Sequence, residues 1–402
     1  MARKPNERAC SAFGAPPPRW RSRLYLERMR LQRSLHRSGR GDPESAPRRP
    51  VVVIMAPNPV HPGGITTVVE GWRDAGLGDA AELIDIWTGS WDDPVPLQVL
   101  QGARALVAFL GILLGRRADL VHLHVSTGGS LVRKTAFALL ARLGRLPVIV
   151  HVHSGDFDRW LQQGRVRGGL ARALTRSAAL VVVPADRWRD SFERLGARRI
   201  EVVPNGLSAR ERAALGRVRE RRAAVISPEL PTVLYYGRWA AVKGTDLLTP
   251  ALANLSRRDF QLRVFGNGDR GWLERALLPL GKSVTIGGWI GLEEKAAELE
   301  AASVLAVPSR AEGFGQVLLD GMAAGIPIVG TDAGAIPTVL DGYEPARIVP
   351  AGDAQALGAA LAEFLWPEPE AVGRRASPFP PRFELEAGAE QLIGYYRELS
   401  RR

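Results

Sequence analysis

From Val51 onward the chain repeats one pattern: a short apolar run rich in Val and Ile, a helix-length stretch of mixed character, then another run. VVVIM, ELIDIW, DLVHLH, PVIVHVH, ALVVV and IEVVP make a first series. TVLYYG, QLRVFG, SVTIG, SVLAVPS, IPIVGT and RIVP make a second. Continuous apolar runs belong to strands covered on both faces, and helix-length spacers between them are the crossovers of a parallel sheet. The pattern predicts two Rossmann-like, doubly wound α/β domains, at residues 51–207 and 231–377. Between them, residues 208–230 are charge-rich and read as a linker or an exposed connecting helix. After the Pro-rich break at Pro378–Pro381, residues 378–402 carry Leu385, Ala389, Leu392 and Tyr396 at helical spacing. They predict a C-terminal helix free to pack back on the first domain.

Open parallel sheets bind ligands beyond the carboxyl ends of their strands, so two such domains facing each other predict a cleft lined by strand-to-helix loops. Two of these loops carry chemistry. TVLYYGRWAAVKGTDLL runs from a strand through Gly237, Arg238 and Lys243 to a helix start near Thr245 or Asp246. Cations beside a helix N-terminus suit a diphosphate, and solvated surface charges are the plainer alternative. The more specific loop is RAEGFGQVLLDGMAAGIPIVGTDAG, where Gly313 and Gly315 flank Phe314 immediately after Glu312 and Asp320 follows eight residues later. Glycines let backbone N–H groups approach a ligand closely. One carboxylate can accept hydrogen bonds from sugar hydroxyls and the other can hold a ribose diol.

This second segment resembles the signature of glycosyltransferase family 4, in which two acidic residues separated by seven others flank a Gly-Phe-Gly turn. GRWAAVKG is similar to that family's donor-phosphate loop, and VVPNG (Val202–Gly206) to the segment closing its first domain. The resemblance runs from about Val51 to Ile348. It implies the two-domain GT-B fold and a retaining transfer of a hexose-type sugar from a nucleoside-diphosphate sugar. The acceptor is expected to be a carbohydrate or lipid-linked hydroxyl of cell-envelope or polysaccharide assembly. Arg238 and Lys243 would hold the diphosphate, Glu312 the sugar hydroxyls, and Phe314 and Gly315 would present backbone N–H groups. Gly63, Gly64, Gly237, Gln316 and Val317 would complete the donor side, with Asp320 on the ribose. The family usually has Glu at this last position, and Asp is shorter by one methylene, about 1.5 Å of reach.

Four of the six histidines fall in HLH (His122, His124) and HVH (His151, His153), each pair on one face of a strand. The resemblance selects His153 as the cleft histidine. A zinc cluster is the other reading of this group; no resident metal or cofactor is expected, and the donor is a substrate. Ser126, Ser130, Arg133 and Lys134 open the helix after HLH. Ser126, Arg133 and Lys134 are the acceptor-side candidates, either for an acceptor phosphate or as plain helix-surface charges. DFD (Asp156, Phe157, Asp158) mimics a metal motif of another glycosyltransferase fold and reads as chance.

Two alternatives compete. GNGDRG (Gly266–Gly271) has the form of a dinucleotide fingerprint, hence an oxidoreductase, but it follows the second strand of its domain instead of the first. A degenerate GT-B protein that only binds sugar nucleotides would keep the architecture and lose the cleft's polar groups, which are present.

Charge alters one expectation. The net charge of +12 is concentrated in residues 1–50, with 13 Arg or Lys against 4 Asp or Glu, leaving 41 against 38 elsewhere. The folded body is near neutral, so no nucleic-acid partner is expected. Within the tail, Trp20, Leu24, Leu31 and Leu35 share a helical stripe that suits an anionic membrane surface as well as a solvated arm. Ala105–Gly115 is the longest apolar run, about half a membrane crossing, and reads as a buried or interfacial helix. A single cysteine, Cys10, and an N-terminus without an apolar signal core predict a reducing, cytoplasmic setting, peripheral on the inner membrane face if the tail binds lipid. An organelle transit peptide is the alternative for so Arg-rich a start.

Overall fold

The computed structural model describes residues 48–58, 63–89, 94–155, 157–162, 164–224, 230–368 and 377–401. The basic stripe at residues 19–37, Cys10 and Asp156 lie outside them.

Two six-stranded parallel sheets carry the chain, as the apolar runs require. The first holds β1 (Val51–Ala56), β2 (Glu82–Trp87), β3 (Leu120–Val125), β4 (Val148–Val152), β5 (Leu180–Val183) and β6 (Ile200–Val202) in the order β2-β1-β3-β4-β5-β6. The second holds β7 (Thr232–Trp239), β8 (Gln261–Gly268), β9 (Val284–Ile286), β10 (Val304–Val307), β11 (Ile328–Thr331) and β12 (Ala346–Val349) in the order β12-β11-β10-β7-β8-β9. Each order reverses direction once, between β1 and β3 and between β7 and β10. Chains leaving such neighbouring strands turn to opposite faces of the sheet and leave a crevice between them.

Alternate residues of β1 feed two cores. Val53 and Met55 pack with the helices Gly129–Leu143 and Arg165–Ser177, whereas Val52 and Ile54 pack under Trp72 and the helix Leu385–Ser400. That terminal helix therefore covers the first sheet, its Leu385, Ala389, Leu392 and Tyr396 fully buried.

Residues 209–224 are more than a linker. They form one helix whose Leu215 and Val218 are buried, and whose Arg222 donates to the carbonyls of Leu299, Glu300 and Ala302 at the end of the helix Leu292–Ala301. Arg221 pairs with Glu300. Docking of this helix on the second domain thus rests on guanidinium groups satisfying helix-end carbonyls, a chemistry that apolar periodicity does not reveal.

GNGDRG is accounted for by packing. A Cβ on Gly266 would lie 1.8 Å from the Gly237 carbonyl, and one on Gly268 would lie 2.6 Å from that of Trp239, so β7 and β8 meet only because both are glycine. Asp269 caps the next helix by accepting from the Trp272 N–H at 2.9 Å. A carboxylate thus stands where a dinucleotide's pyrophosphate would need the helix N-terminus. In DFD, Asp158 accepts from the Ser191 hydroxyl.

Candidate functional site

The loops after β7 and β10 meet at the reversal point of the second sheet. Lys243 Nζ donates to Glu312 Oε2 at 2.7 Å, and the Ser309 hydroxyl donates to the same oxygen at 3.2 Å. Glu312 is buried and Lys243 partly exposed, so the pair presents its cation to the cleft and its carboxylate beneath. Between the same loops, Arg310 makes a bidentate pair with Asp246 at 2.7 and 2.8 Å. Gly244 has φ +69°, and a Cβ there would lie 1.8 Å from the Pro308 carbonyl. Only glycine lets the lysine loop close on the neighbouring strand's exit.

Arg238 is exposed at the end of β7, its carbonyl accepting from the Tyr235 hydroxyl at 2.7 Å, while Thr245 bonds that same hydroxyl. The expected helix start beyond Lys243 is weaker than a full helix. A 3-10 turn spans Thr245–Leu247, and the α-helix that follows, Leu248–Ala253, is short. The cations, more than a helix dipole, give this loop its anion chemistry.

On the other side of Glu312, Gly315 is left-handed (φ +91°) and caps the helix Gln316–Ala324. The Phe314 ring is buried against Phe383, which leaves only its backbone for a ligand. Gln316 donates to the Gly206 carbonyl at 2.8 Å, joining this turn to VVPNG. The Val317 carbonyl accepts from Tyr236.

Asp320 is placed differently from the resemblance. Its carboxylate is 3% exposed and is held by Lys295 Nζ at 2.8 Å and the Tyr236 hydroxyl at 3.1 Å. Burial raises its pKa, Lys295 opposing the shift. A side chain one methylene short stays inside the domain with both oxygens engaged and is not offered to the cleft. Lys295, which looks like a solvated residue in LEEKAAELEA, gives no local sign of this contact.

The first domain meets these loops backbone to backbone. A Cβ on Gly155 would fall 2.2 Å from the Glu312 carbonyl carbon and the Gly313 nitrogen, and Trp188 Nε1 donates to the Gly313 carbonyl at 3.1 Å. His153 precedes this contact at the end of β4. Gly63 and Gly64 open the helix Gly64–Trp72 beside β1, where a Cβ on either would meet nothing within 4 Å. Packing therefore does not demand these glycines, and close approach by a ligand remains their physical rationale. In the neighbouring loop after β3, Ser130 accepts from the Ser126 N–H at 3.3 Å and from Lys134 Nζ at 3.3 Å. Lys134 is fully buried, and burial, followed by the Arg133 charge, brings its pKa down to about 7. Arg133 is half-buried.

Strand register, with His124 opposite His151, gathers all four histidines on the face beneath Trp72 and Tyr396. His122 Nδ1 lies 2.6 Å from the Tyr396 hydroxyl and its Nε2 3.2 Å from His151 Nδ1, while His124 Nδ1 lies 2.9 Å from His153 Nε2. His122, His124 and His151 bring ring nitrogens within 4.8 Å of one another, close enough for a shared metal ion. Both nitrogens of His122 are already committed, however, which leaves two histidines where a closed site needs four ligands.

Burial lowers the pKa of all four imidazoles, to about 3 for His122, with the His153 charge as second cause, and to about 3 for His153, with Lys134 second. An imidazole that stays neutral in the fold but titrates near 6.5 when unfolded binds its proton only on unfolding. Its contribution to stability is full above pH 6.5 and is lost as pH falls from there towards 3. At pH 5 this amounts to about 2 kcal/mol for each of His122 and His153. Thermal unfolding is expected to show a steep loss of stability between pH 6.5 and 5, with more than one proton taken up per molecule. A flat profile over that window would refute the buried neutral ladder.

Comparison with known proteins identifies the family and the fold. Residues 48–206 match the family described as glycosyl transferase 4-like domain, and residues 230–366 match glycosyl transferases group 1. The chain is 30% identical to alpha-D-kanosaminyltransferase of Streptomyces kanamyceticus over 77% of its own length and 83% of the relative's. It is 29% identical to phosphatidyl-myo-inositol mannosyltransferase of Mycolicibacterium smegmatis, over 70% and 72% of the two chains. Among solved structures, HepE of Anabaena in complex with UDP and glucose superposes with a TM-score of 0.60 at 15% identity, covering 88% of this chain and 98% of that one, a likeness of fold. With two parallel six-stranded sheets and the Lys243 and Glu312 loops joined at the second sheet's reversal point, the chain belongs to glycosyltransferase family 4 and is a glycosyltransferase of the GT-B fold.

Proposed function

We propose that this enzyme moves a hexose-type sugar from a nucleoside diphosphate to an acceptor hydroxyl, with retention at the anomeric carbon, in cell-envelope or extracellular polysaccharide or glycolipid assembly. The observation that carries the reading is the Lys243–Glu312 pair. It sets a cation and a carboxylate side by side where a donor's diphosphate and sugar would meet. HepE is named for its complex with UDP and glucose, and the Mycolicibacterium relative for a phosphatidyl-inositol acceptor; both chemistries fit such a cleft.

In this reading the bond between the anomeric carbon and the diphosphate oxygen breaks as the acceptor oxygen bonds to the same carbon. Lys243 and Arg238 stabilise the charge growing on the departing diphosphate, an interaction stronger in the transition state than in the ground state. The acceptor's proton passes to a departing phosphate oxygen on the same face. Glu312 turns from Lys243 to sugar hydroxyls as the diphosphate takes over the lysine. Backbone N–H groups at Phe314 and Gly315 face the donor, with Gly237, Gln316 and Val317 on the same side. Neutral His153 closes the sugar pocket from the first domain, and Gly63 and Gly64 leave room for phosphate and acceptor. Ser126 and half-buried Arg133 receive an anionic acceptor group, whereas Lys134, expected beside them, is buried beneath against Ser130 and is not presented to it. The cations supply the electrophilic assistance, so the transfer proceeds without a metal ion.

A panel of nucleotide sugars tests this, with thermal shift identifying the donor and NMR of the product reading its anomeric configuration, each with and without EDTA. Retained configuration and EDTA-insensitive turnover are expected. An inverted product, or protection by nicotinamide dinucleotides in place of nucleotide sugars, would overturn the reading.

A further inference from the structure

The longest apolar run of the sequence does not end up in the core. It belongs to the helix Val95–Leu114, the connection between β2 and β3, and only Ala105 and Phe109 of its 20 residues are buried. These two mark an inner stripe that seats the helix on its domain. The outer stripe would ordinarily be polar. Here it carries Val99 at 66%, Val107 at 71% and Leu114 at 86% exposure, and Arg104 is the helix's one charged residue.

The adjoining helix Gly129–Leu143 extends the patch. Leu143 is 81% exposed, and a Cβ on the next residue, Gly144, would lie 2.8 Å from a Leu113 methyl, so the two helix ends touch. Arg116, Arg117, Arg142 and Arg145 stand exposed around these leucines. No Asp or Glu occurs from Val95 to Ala118 or from Leu120 to Gly155, and the one acid between, Asp119, accepts from the Val51 N–H and pairs with Arg48.

We infer that this face docks the first domain on an anionic lipid surface. Leucine and valine tips would enter the boundary between headgroups and acyl chains while the arginines at the helix ends meet lipid phosphates. Apolar exposure alone would suit a protein partner equally. The ring of arginines without a neighbouring carboxylate selects a surface that is both apolar and negative. The helix is long enough to span a bilayer, about 30 Å. It nevertheless lies on the surface instead of crossing, because its ends lead into β2 and β3, which both pair with β1 in one sheet. Its N-terminal end follows β2 at the carboxyl edge of that sheet, and its C-terminal end, with the arginines, lies at the opposite edge. This inference does not rest on the sugar-transfer reading or on the tail at residues 1–50.

The test is co-sedimentation of the full chain with vesicles of one part phosphatidylglycerol to two parts phosphatidylcholine. Val99→Glu with Val107→Glu alters two side chains already in water and should leave the fold and nucleoside-diphosphate binding intact. It is expected to weaken vesicle partition at least about tenfold. Arg116→Ser with Arg117→Ser should weaken partition on these vesicles and leave that on pure phosphatidylcholine unchanged. Unaltered partition of the valine variant would overturn the inference, as would a wild type that does not sediment. A wild-type dimer that this variant converts to monomer without lipid would make the face a protein interface and overturn it as well.

Discussion

Replacing Lys243 with alanine should lower kcat/KM by about a hundred- to a thousandfold while the protein remains folded. The magnitude follows from removing one preorganised cation from a site where charge develops in the transition state. The structure adds a reason for the loss to exceed a simple missing contact. Lys243 is the cation held against Glu312 at 2.7 Å, so its removal leaves a largely buried carboxylate with the Ser309 hydroxyl to satisfy that oxygen. The carboxylate would then repel the donor's diphosphate. Because the lysine side chain is partly exposed, the stability cost should be modest, about 1 to 2 kcal/mol. Lys243→Arg, which keeps the charge but not the reach, should recover part of the turnover. Loss of fold in Lys243→Ala, or turnover within about threefold of wild type, would remove the lysine from the role assigned to it.

The second large effect is expected from a residue with no functional side chain. Gly155→Ala introduces a carbon 2.2 Å from backbone atoms of Glu312 and Gly313 in the opposite domain. Neither atom belongs to a flexible side chain, so the two domains must separate or the Glu312 turn must move. A displacement of about 1 Å at a reacting centre costs on the order of a hundredfold in rate. Phe157, Trp188 and Phe314 of the core pack beside this contact, so a modest fall in thermal stability is expected along with the displacement. Nucleoside-diphosphate binding, whose proposed cations Arg238 and Lys243 sit on a loop of the second domain, should change little. The expected result is a fall of about a hundredfold in kcat with near-normal nucleotide affinity. A variant with full turnover would show that the contact between Gly155 and the Glu312 turn has no part in catalysis.

Twelve strands were legible in the sequence because the strands of a helix-covered parallel sheet, the central ones above all, are rich in apolar β-branched residues. The donor loops were legible for a related reason: Gly244 and Gly315 stand where the backbone takes left-handed conformations that side chains resist, so the chemistry carries its own punctuation. What escaped was set by partners distant in sequence. Asp320 looks like a presented carboxylate until Lys295, 25 residues earlier, and Tyr236 are seen to hold it inside. The period of two aligned each histidine pair, but only strand register and Tyr396, 274 residues from His122, made a ladder of them. Arg221 and Arg222 made a charge-rich segment look like a tether, although both arginines fasten a helix to the second domain. The apolar helix Val95–Leu114 left two readings open. Its composition suggested burial or an interface, and only the fold leaves its outer face uncovered.

In the proposed reaction Lys243 and Glu312 divide the donor between them, the lysine on phosphate and the carboxylate on sugar. Calorimetric titration of wild type, Lys243→Ala and Glu312→Ala with a nucleoside diphosphate and with the matching nucleotide sugar measures that division directly. Lys243→Ala should weaken both ligands about tenfold or more, whereas Glu312→Ala should weaken the nucleotide sugar and leave the nucleoside diphosphate bound as tightly as before or tighter. Equal losses on both ligands in Glu312→Ala, or unchanged binding of both in Lys243→Ala, would contradict it.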